Sequence, residues 1–586
     1  MFRRLLAILI CTGISFTVLA KSDTDLEARR KALNDLLNEQ WEYTLKQEPI
    51  FASIMGDKRY NDQLPDESID HIKKDYEISR QFLKRFEAID TTGLPEQEVL
   101  NKELMVQNLK NDIEGEKLEG YLMPVNQMGG IHISAPQVVS MLSFKTVKDY
   151  DDYITRLKGL PKLFDQISER MRLGIKKDLM PPAFLLEKVT VQTKGIAAQK
   201  PEESPFAQPL QNMPSDFPEA DQKRLREEMV SVIRDQIIPA YNRFAEYVEK
   251  EYAPKGRTDV GVWSLPNGSE RYARSTRLST TTNMTPEEIH QLGLREVQKI
   301  EGEMLLIAKK LGFQDLKSFN ASIRENKALR AGSREQILDL YRKYIDQMER
   351  ELPKLFGRLP KAKLIVKQVE DFREKEAAGA QYNPPAQDGS RPGFVMVNTY
   401  KPEERTIITM ESTAYHEGHP GHHLQIAIQQ ELPELPPFRQ QGGYGALVEG
   451  WALYSERLGK EVGFYQDPYS DYGRLQDEML RAIRLVVDTG LHCKKWNRDQ
   501  VVQFFHDHSA IDEVDIQNET DRYIVWPAQA LSYKIGQLKI LELRDRAKTK
   551  LGERFDVREF HDQILGAGAL PLSILENRIN NWIASK

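Results

Sequence analysis

The chain is poor in cysteine. Of its 586 residues only Cys11 and Cys493 are cysteines. Residues 1–20 read as a secretory signal: Arg3 and Arg4 lead a mostly apolar run from Leu5 to Ala20, and Val18-Leu19-Ala20 precedes a cut. Ile10 stands before Cys11 where lipidation wants a small residue, so a lipid anchor is not expected. Cleavage leaves Cys493 alone, which excludes an intramolecular disulfide and leaves stability to the hydrophobic core. There is no Gly/Ser linker, low-complexity run or internal repeat. Residues 21–586 are therefore read as one large domain with two lobes and a boundary near 255–285. No later stretch is apolar enough to cross a membrane, so no integral membrane segment is expected in the mature chain. Positive charge is not in excess either. With 82 Lys and Arg against 88 Asp and Glu, the net charge is −6, which argues against a nucleic-acid partner. The expected location is extracytoplasmic, periplasmic or secreted.

What the chain has is amphipathic helix. Leu26, Leu33, Leu36, Leu37 and Trp41 recur at helical spacing, and Leu83, Phe86 and Ile89 continue the pattern within 24–118. Further helices are expected over 146–178, 219–252 and 333–355. Thr285-Pro286-Glu287-Glu288 is a helix start, with a threonine cap, Pro at the first position and Glu at the third, and its helix should run to about Leu311. Lys200 to Phe217 is Pro-rich and polar and reads as a surface loop. Asn126 to Pro136 reads as a turn or cleft wall. Only Leu364–Val369 and Gly393–Asn398 read as strands. The fold class is mostly α, with a small sheet and a central cleft.

Four of the 11 histidines fall within His416 to His423, in the run Tyr-His-Glu-Gly-His-Pro-Gly-His-His-Leu-Gln. Imidazole and carboxylate are the usual ligands of catalytic zinc, which takes three protein ligands and a water. The common pattern places two histidines four apart on one helical face, but four residues after His416 stands Pro420. His416 and His422 point about 120° apart on an ideal helix, and His416 and His423 lie about 10 Å apart along it. Pro420 collides with the carbonyl of His416, and Gly421 loosens the backbone, so a kink or bulge can absorb two residues. That favours His416 and His422 as ligands of one zinc, with Glu417 beside them as base. His423 remains the alternative second ligand, and His419 is expected at the rim.

The third ligand is expected from a later helix. Glu449 opens the segment Val448 to Leu458; its ordinary reading is a carboxylate near a helix N-terminus, but with the histidines upstream it is the better ligand candidate, ahead of Glu456. Asp488 and His492 share a helical face four residues apart. They either pair with each other, the slightly favoured reading, or Asp488 orients a zinc histidine.

The motifs His-Glu-x-x-Pro-Gly-His-His-Leu-Gln and Glu-Gly-Trp-Ala-Leu-Tyr-Ser-Glu resemble a large bacterial family of secreted proteins and lipoproteins catalogued as domain of unknown function 885. Supporting segments are Asn126-Gln127-Met128-Gly129-Gly130, Arg391-Pro392-Gly393-Phe394, Asp488-Thr489-Gly490-Leu491-His492 and Arg522-Tyr523-Ile524-Val525-Trp526-Pro527. More distantly, the order of elements is similar to helical zinc peptidases of the angiotensin-converting-enzyme and oligopeptidase type. That similarity implies a helical zincin-like, gluzincin-type fold and an edge strand before the histidines that pairs with extended substrate; an ordinary buried strand is the equal alternative at Phe394–Val397. It also implies that Tyr523 stabilises the reacting oxyanion. Tyr533 and Lys534 are candidates to hold a substrate carboxylate.

The expected activity is zinc-dependent hydrolysis of peptide bonds in short peptides, with one zinc per chain and Glu417 as general base. The alternative is a non-catalytic extracytoplasmic protein that binds zinc or peptides.

Overall fold

In the computed structural model, the structure describes residues 2–586 except 372, 373, 376 and 390, with residues 2–23 described in backbone only. The segment read as a signal, 1–20, and Cys11 therefore lie outside the residues whose side chains are described. Among the described residues, no helix is long and apolar enough to cross a membrane.

Among the described residues the chain is mostly helical, with one small sheet. Its hydrophobic stripes collect into several separate cores. Helix Phe2–Gln47 packs with Ile69–Glu87 and Glu96–Glu116 through Leu33, Leu37, Phe86 and Met105. A second group, Val147–Lys176, Ala183–Ala197, Glu219–Val232 and Ile238–Tyr247, closes around Tyr150, Phe164, Met171 and Tyr241. Among the described residues, the buried members of that core run from Val125 to Ala253, and Leu64 packs against them from outside that range. The remaining helices form the body that carries the histidines, around Tyr272, Met348, Trp451, Tyr454 and Ile540.

Local chemistry accounts for many boundaries. Thr285 accepts from the Glu288 backbone while the Glu288 carboxylate accepts from the Thr285 backbone, and the helix runs Pro286–Lys310. The stretch 200–217 departs from the expected surface loop. It winds into the 3-10 helix Pro205–Asn212, which buries Phe206, Ala207 and Leu210 in the second core. Its prolines punctuate the chain, but its apolar residues outweigh that signal once a neighbouring surface is available to cover them.

The sheet has three strands: β1 (Leu364–Gln368), β2 (Ala380–Asn383) and β3 (Gly393–Val397). Their order is β1-β3-β2, with β1 parallel and β2 antiparallel to β3. β3 is therefore central and buried along its whole length, so it is not the substrate-pairing edge. Its continuous Phe-Val-Met-Val run is what burial on both faces demands. β2 is short and polar and gives no periodic signal in sequence, but it brings Tyr382 against the histidine cluster.

Two helices of the body, Gly445–Glu461 and Ser532–Leu551, cross in backbone contact. A methyl group at Gly450 would lie 2.4 Å from the Gly536 Cα, and one at Gly536 would lie 1.7 Å from the Ala446 carbonyl oxygen. Only glycine allows this approach, and it sets Glu449 and Tyr533 on two helices that meet at the same place.

Candidate metal centre

The histidine cluster is not one kinked helix. Helix Met410–Glu417 stops at Gly418, four residues loop out, and a new helix starts at His422 and runs to Gln430. The His419–Pro420 peptide in the loop is cis. Gly421 donates its N–H to the Tyr415 carbonyl at 2.9 Å, and a Cβ there would sit 1.9 Å from the His416 carbonyl oxygen. Trp451 on the Gly445–Glu461 helix donates its indole N–H to the Pro420 carbonyl at 2.9 Å. The loop thus removes the two surplus residues and returns His422 beside His416, with ring centroids 4.8 Å apart and planes at 88°.

Both rings aim at one carboxylate. Glu449 Oε2 lies 3.8 Å from His416 Nε2 and 3.4 Å from His422 Nε2. That oxygen is buried, yet among the described residues it has no hydrogen-bond partner. Glu417, half-buried, brings a carboxylate oxygen into a group with one ring nitrogen of His416 and one of His422, all within 4.8 Å of one another. The other ring nitrogen of His416, Nδ1, meets Glu456 Oε1 at 2.8 Å. Glu456 is 1% exposed and is approached by Arg481 Nη2 at 3.8 Å.

Two carboxylates converge on His416. Burial pulls His416 down, but the Glu449 and Glu456 carboxylates more than reverse this and push it up to about 10. Burial likewise raises Glu449, but His422 and His416 hold it well below the usual carboxylate range. A buried, unbonded carboxylate oxygen facing two imidazole nitrogens is a donor set that fits a divalent cation such as zinc, with two nitrogens and one oxygen as ligands. Glu456 supplies the carboxylate on the outer nitrogen that fixes the ring and its tautomer. Glu456→Gln keeps the side-chain shape and removes this charge. It is expected to weaken zinc binding roughly 10-fold or more, read by competition against a chelator, with the helical content unchanged.

The other sequence candidates are placed elsewhere. His423 is fully buried, and both its nitrogens are engaged, Nδ1 with the Tyr382 hydroxyl at 3.1 Å and Nε2 with the Ala362 carbonyl at 3.1 Å. It fastens the sheet to the histidine loop and does not face Glu449. Gly393 exists for this contact, since a Cβ there would sit 2.9 Å from His423 Nδ1. His419 is 5% exposed, not a rim residue, and burial lowers it to about 3.

Asp488 and His492 neither pair nor reach the centre. Asp488 accepts from the Tyr272 hydroxyl at 2.6 Å and from the Ala528 N–H, and burial raises it to about 7. His492 accepts from the Val262 N–H and donates to the Tyr523 carbonyl. Helical spacing put them on one face, but better partners stand on neighbouring segments. Lys534 is fully buried in an ionic cluster, with Glu478 Oε1 at 2.8 Å, Gln537 Oε1 at 2.9 Å and Glu296 Oε2 at 3.1 Å. It is closed to a substrate.

Tyr523 is also fully buried. Its hydroxyl donates to Glu519 and accepts from Arg484 Nε, so its proton is committed. The tyrosine beside the centre is Tyr533, whose ring stacks on His416 with centroids 6.3 Å apart and planes at 17°. Its hydroxyl accepts from Arg522 Nη2 at 3.1 Å. Glu456 and Arg481 gave only weak signals in sequence; what could have found them is their position, Glu456 two helical turns after Glu449 and Arg481 on the helix of Asp477.

A family model described as a bacterial protein of unknown function (DUF885) matches residues 49–579. The crystal structure of a candidate lipoprotein from Colwellia psychrerythraea is similar with a TM-score of 0.92 and 30% identity, over 95% of this chain and 100% of that one. A candidate lipoprotein of unknown function from Shewanella oneidensis is similar with a TM-score of 0.71 and 17% identity, over 93% of this chain and 99% of that one. At that identity the likeness is one of fold. No curated protein matches the chain in sequence.

Proposed function

The chain belongs to the DUF885 family of bacterial proteins of unknown function, and we propose that it is a zinc-dependent hydrolase of peptide bonds in short peptides. One observation carries this reading: the buried Glu449 oxygen without a hydrogen bond, facing His416 and His422, with Glu417 alongside. His416, His422 and Glu449 would hold one zinc. Bound there, it would supply a Lewis acid that polarises the scissile carbonyl and lowers the pKa of a water molecule. Glu417 accepts the proton that water loses as its oxygen attacks the carbonyl carbon, then delivers it to the amine nitrogen as the C–N bond breaks. Glu456 keeps the Nδ1–H of His416 pointed away from the centre. Tyr533 walls the site on the His416 side.

The arrangement of a His-Glu helix, a following Glu helix and a small sheet alongside supports a helical zincin-like fold. The names of the Colwellia and Shewanella proteins support an extracytoplasmic location, periplasmic, secreted or membrane-anchored. A base beside the ligands is superfluous in a protein that only stores zinc or binds peptides, which favours the enzyme. The test is metal analysis of the purified protein together with digestion of a broad peptide library. One zinc per chain and chelator-sensitive cleavage are expected. Stoichiometric zinc without cleavage of any peptide would move the reading to a binding protein.

A further inference from the structure

Next to the proposed zinc site lies a group of arginines that hydrolysis itself does not require. Arg481, Arg484 and Arg522 surround the Tyr533 ring, with guanidinium carbons 5.9, 4.5 and 6.0 Å from its centroid. Tyr533 in turn stacks on His416. The acids around them are unevenly shared. Arg481 has two, Asp477 at 3.2 Å and Glu456 at 3.8 Å. Among the described residues, Arg484 and Arg522 have one between them. Glu519 Oε2 takes Arg484 Nη2 at 2.8 Å, and Oε1 takes Arg522 Nη1 at 3.1 Å.

The remaining partners of this pair are neutral: the Tyr523 hydroxyl, the Gln529 amide oxygen and the Tyr533 hydroxyl. Among the described residues, Arg484 Nη1 and Arg522 Nε are buried without a hydrogen bond. The Tyr533 hydroxyl end of the site therefore holds two guanidinium groups and one carboxylate, with donors to spare. Burying a surplus positive charge is costly unless an anion joins it. Arg484 is 4% exposed, but the Arg522 side chain keeps 16%, against the exposed Trp526 ring.

We propose that Arg522, backed by Arg484, receives a carboxylate of the substrate on the far side of Tyr533 from the zinc site, and that the carboxylate is the free C-terminus of a short peptide. This rests on the hydrolase reading and narrows it: cleavage falls near the C-terminal end, and the carboxylate belongs to the leaving fragment. Guanidinium and carboxylate pair through charge-assisted hydrogen bonds, and Arg522 Nε is the donor left over once Nη1 and Nη2 are engaged by Glu519, Gln529 and Tyr533.

The experiment uses three peptides of one sequence: with a free C-terminus, with an amidated C-terminus, and amidated with Glu as the last residue. Affinities are measured on full-length Glu417→Gln protein, and turnover on the unmodified protein. The free acid is expected to bind about 10-fold or more tighter than the amide, the scale of a charge-assisted hydrogen bond. That ratio should fall to within about 2-fold in Glu417→Gln/Arg522→Gln and survive in part in Glu417→Gln/Arg522→Lys. Equal affinity for acid and amide overturns the proposal, and if the unmodified protein still cleaves both, the hydrolase reading stands without it. Tighter binding of the amidated Glu peptide than of the free acid overturns the terminal assignment in favour of an acidic side chain. A preserved acid preference with no cleavage of any peptide keeps the carboxylate site and removes the hydrolase. Because the acid-to-amide ratio is read first on protein with Arg522 intact, a variant that fails to fold leaves the test in force.

Discussion

Glu417→Gln is expected to keep its zinc and lose turnover by roughly 10²-fold or more, the scale of removing a general base. The substitution preserves size and one carbonyl oxygen but cannot accept a proton at neutral pH. Glu417 lies in the same small group of atoms as the two histidines, so the residue could act as ligand or as base, and the substitution separates the two. A base leaves zinc stoichiometry and peptide affinity nearly unchanged while hydrolysis falls. A ligand takes the metal with it. Measuring zinc, affinity and hydrolysis on one preparation decides between them, and hydrolysis at the unmodified rate would remove Glu417 from the mechanism altogether.

His422→Ala and His423→Ala, neighbours in sequence, are expected to fail in opposite ways. His422→Ala should lose bound zinc, because the Nε2 that faces Glu449 disappears and three ligands become two; His416→Ala and Glu449→Ala should do the same. His423→Ala should retain zinc and lose stability. It strands the Tyr382 hydroxyl and the Ala362 carbonyl and opens a cavity where the ring had filled the space against Gly393, a cost of about 1–3 kcal/mol for the polar groups alone. Zinc analysis and thermal unfolding on both variants form the test. Metal loss in His423→Ala with metal kept in His422→Ala would reverse the ligand assignment.

The residues of the centre were largely legible because metal chemistry restricts residue type. Four histidines in eight positions with a glutamate among them have few ordinary explanations, and Pro420-Gly421 marked the place of an expected kink or bulge, although the full break into two helices there was not read. Helix starts such as Thr285-Pro286 were legible for the same reason: a cap is a contact between near neighbours. Partners distant in sequence were not legible. Asp488 and His492 satisfy the rule for a helical pair, yet each finds a closer match on another segment, Tyr272 for one and Val262 for the other. Tyr523 and Tyr533 are both aromatic residues beside a basic one, Arg522 and Lys534. Which of them keeps its ring against His416 depends on where the helix Ser532–Leu551 crosses Gly450.

The sequence by itself determined the helical class, the poverty in cysteine, and the cluster of histidines and carboxylates proposed here to serve metal chemistry, because these follow from composition and local spacing. Only the tertiary structure decided that the loop at Gly418–Gly421 excises two residues, that Glu456 backs His416, that β3 is central instead of an edge, and that Lys534 is sealed in a core while Arg522 keeps part of its side chain exposed. Those outcomes turn on which surfaces pack together, and a buried charge goes to whichever partner the packing brings within a few ångströms.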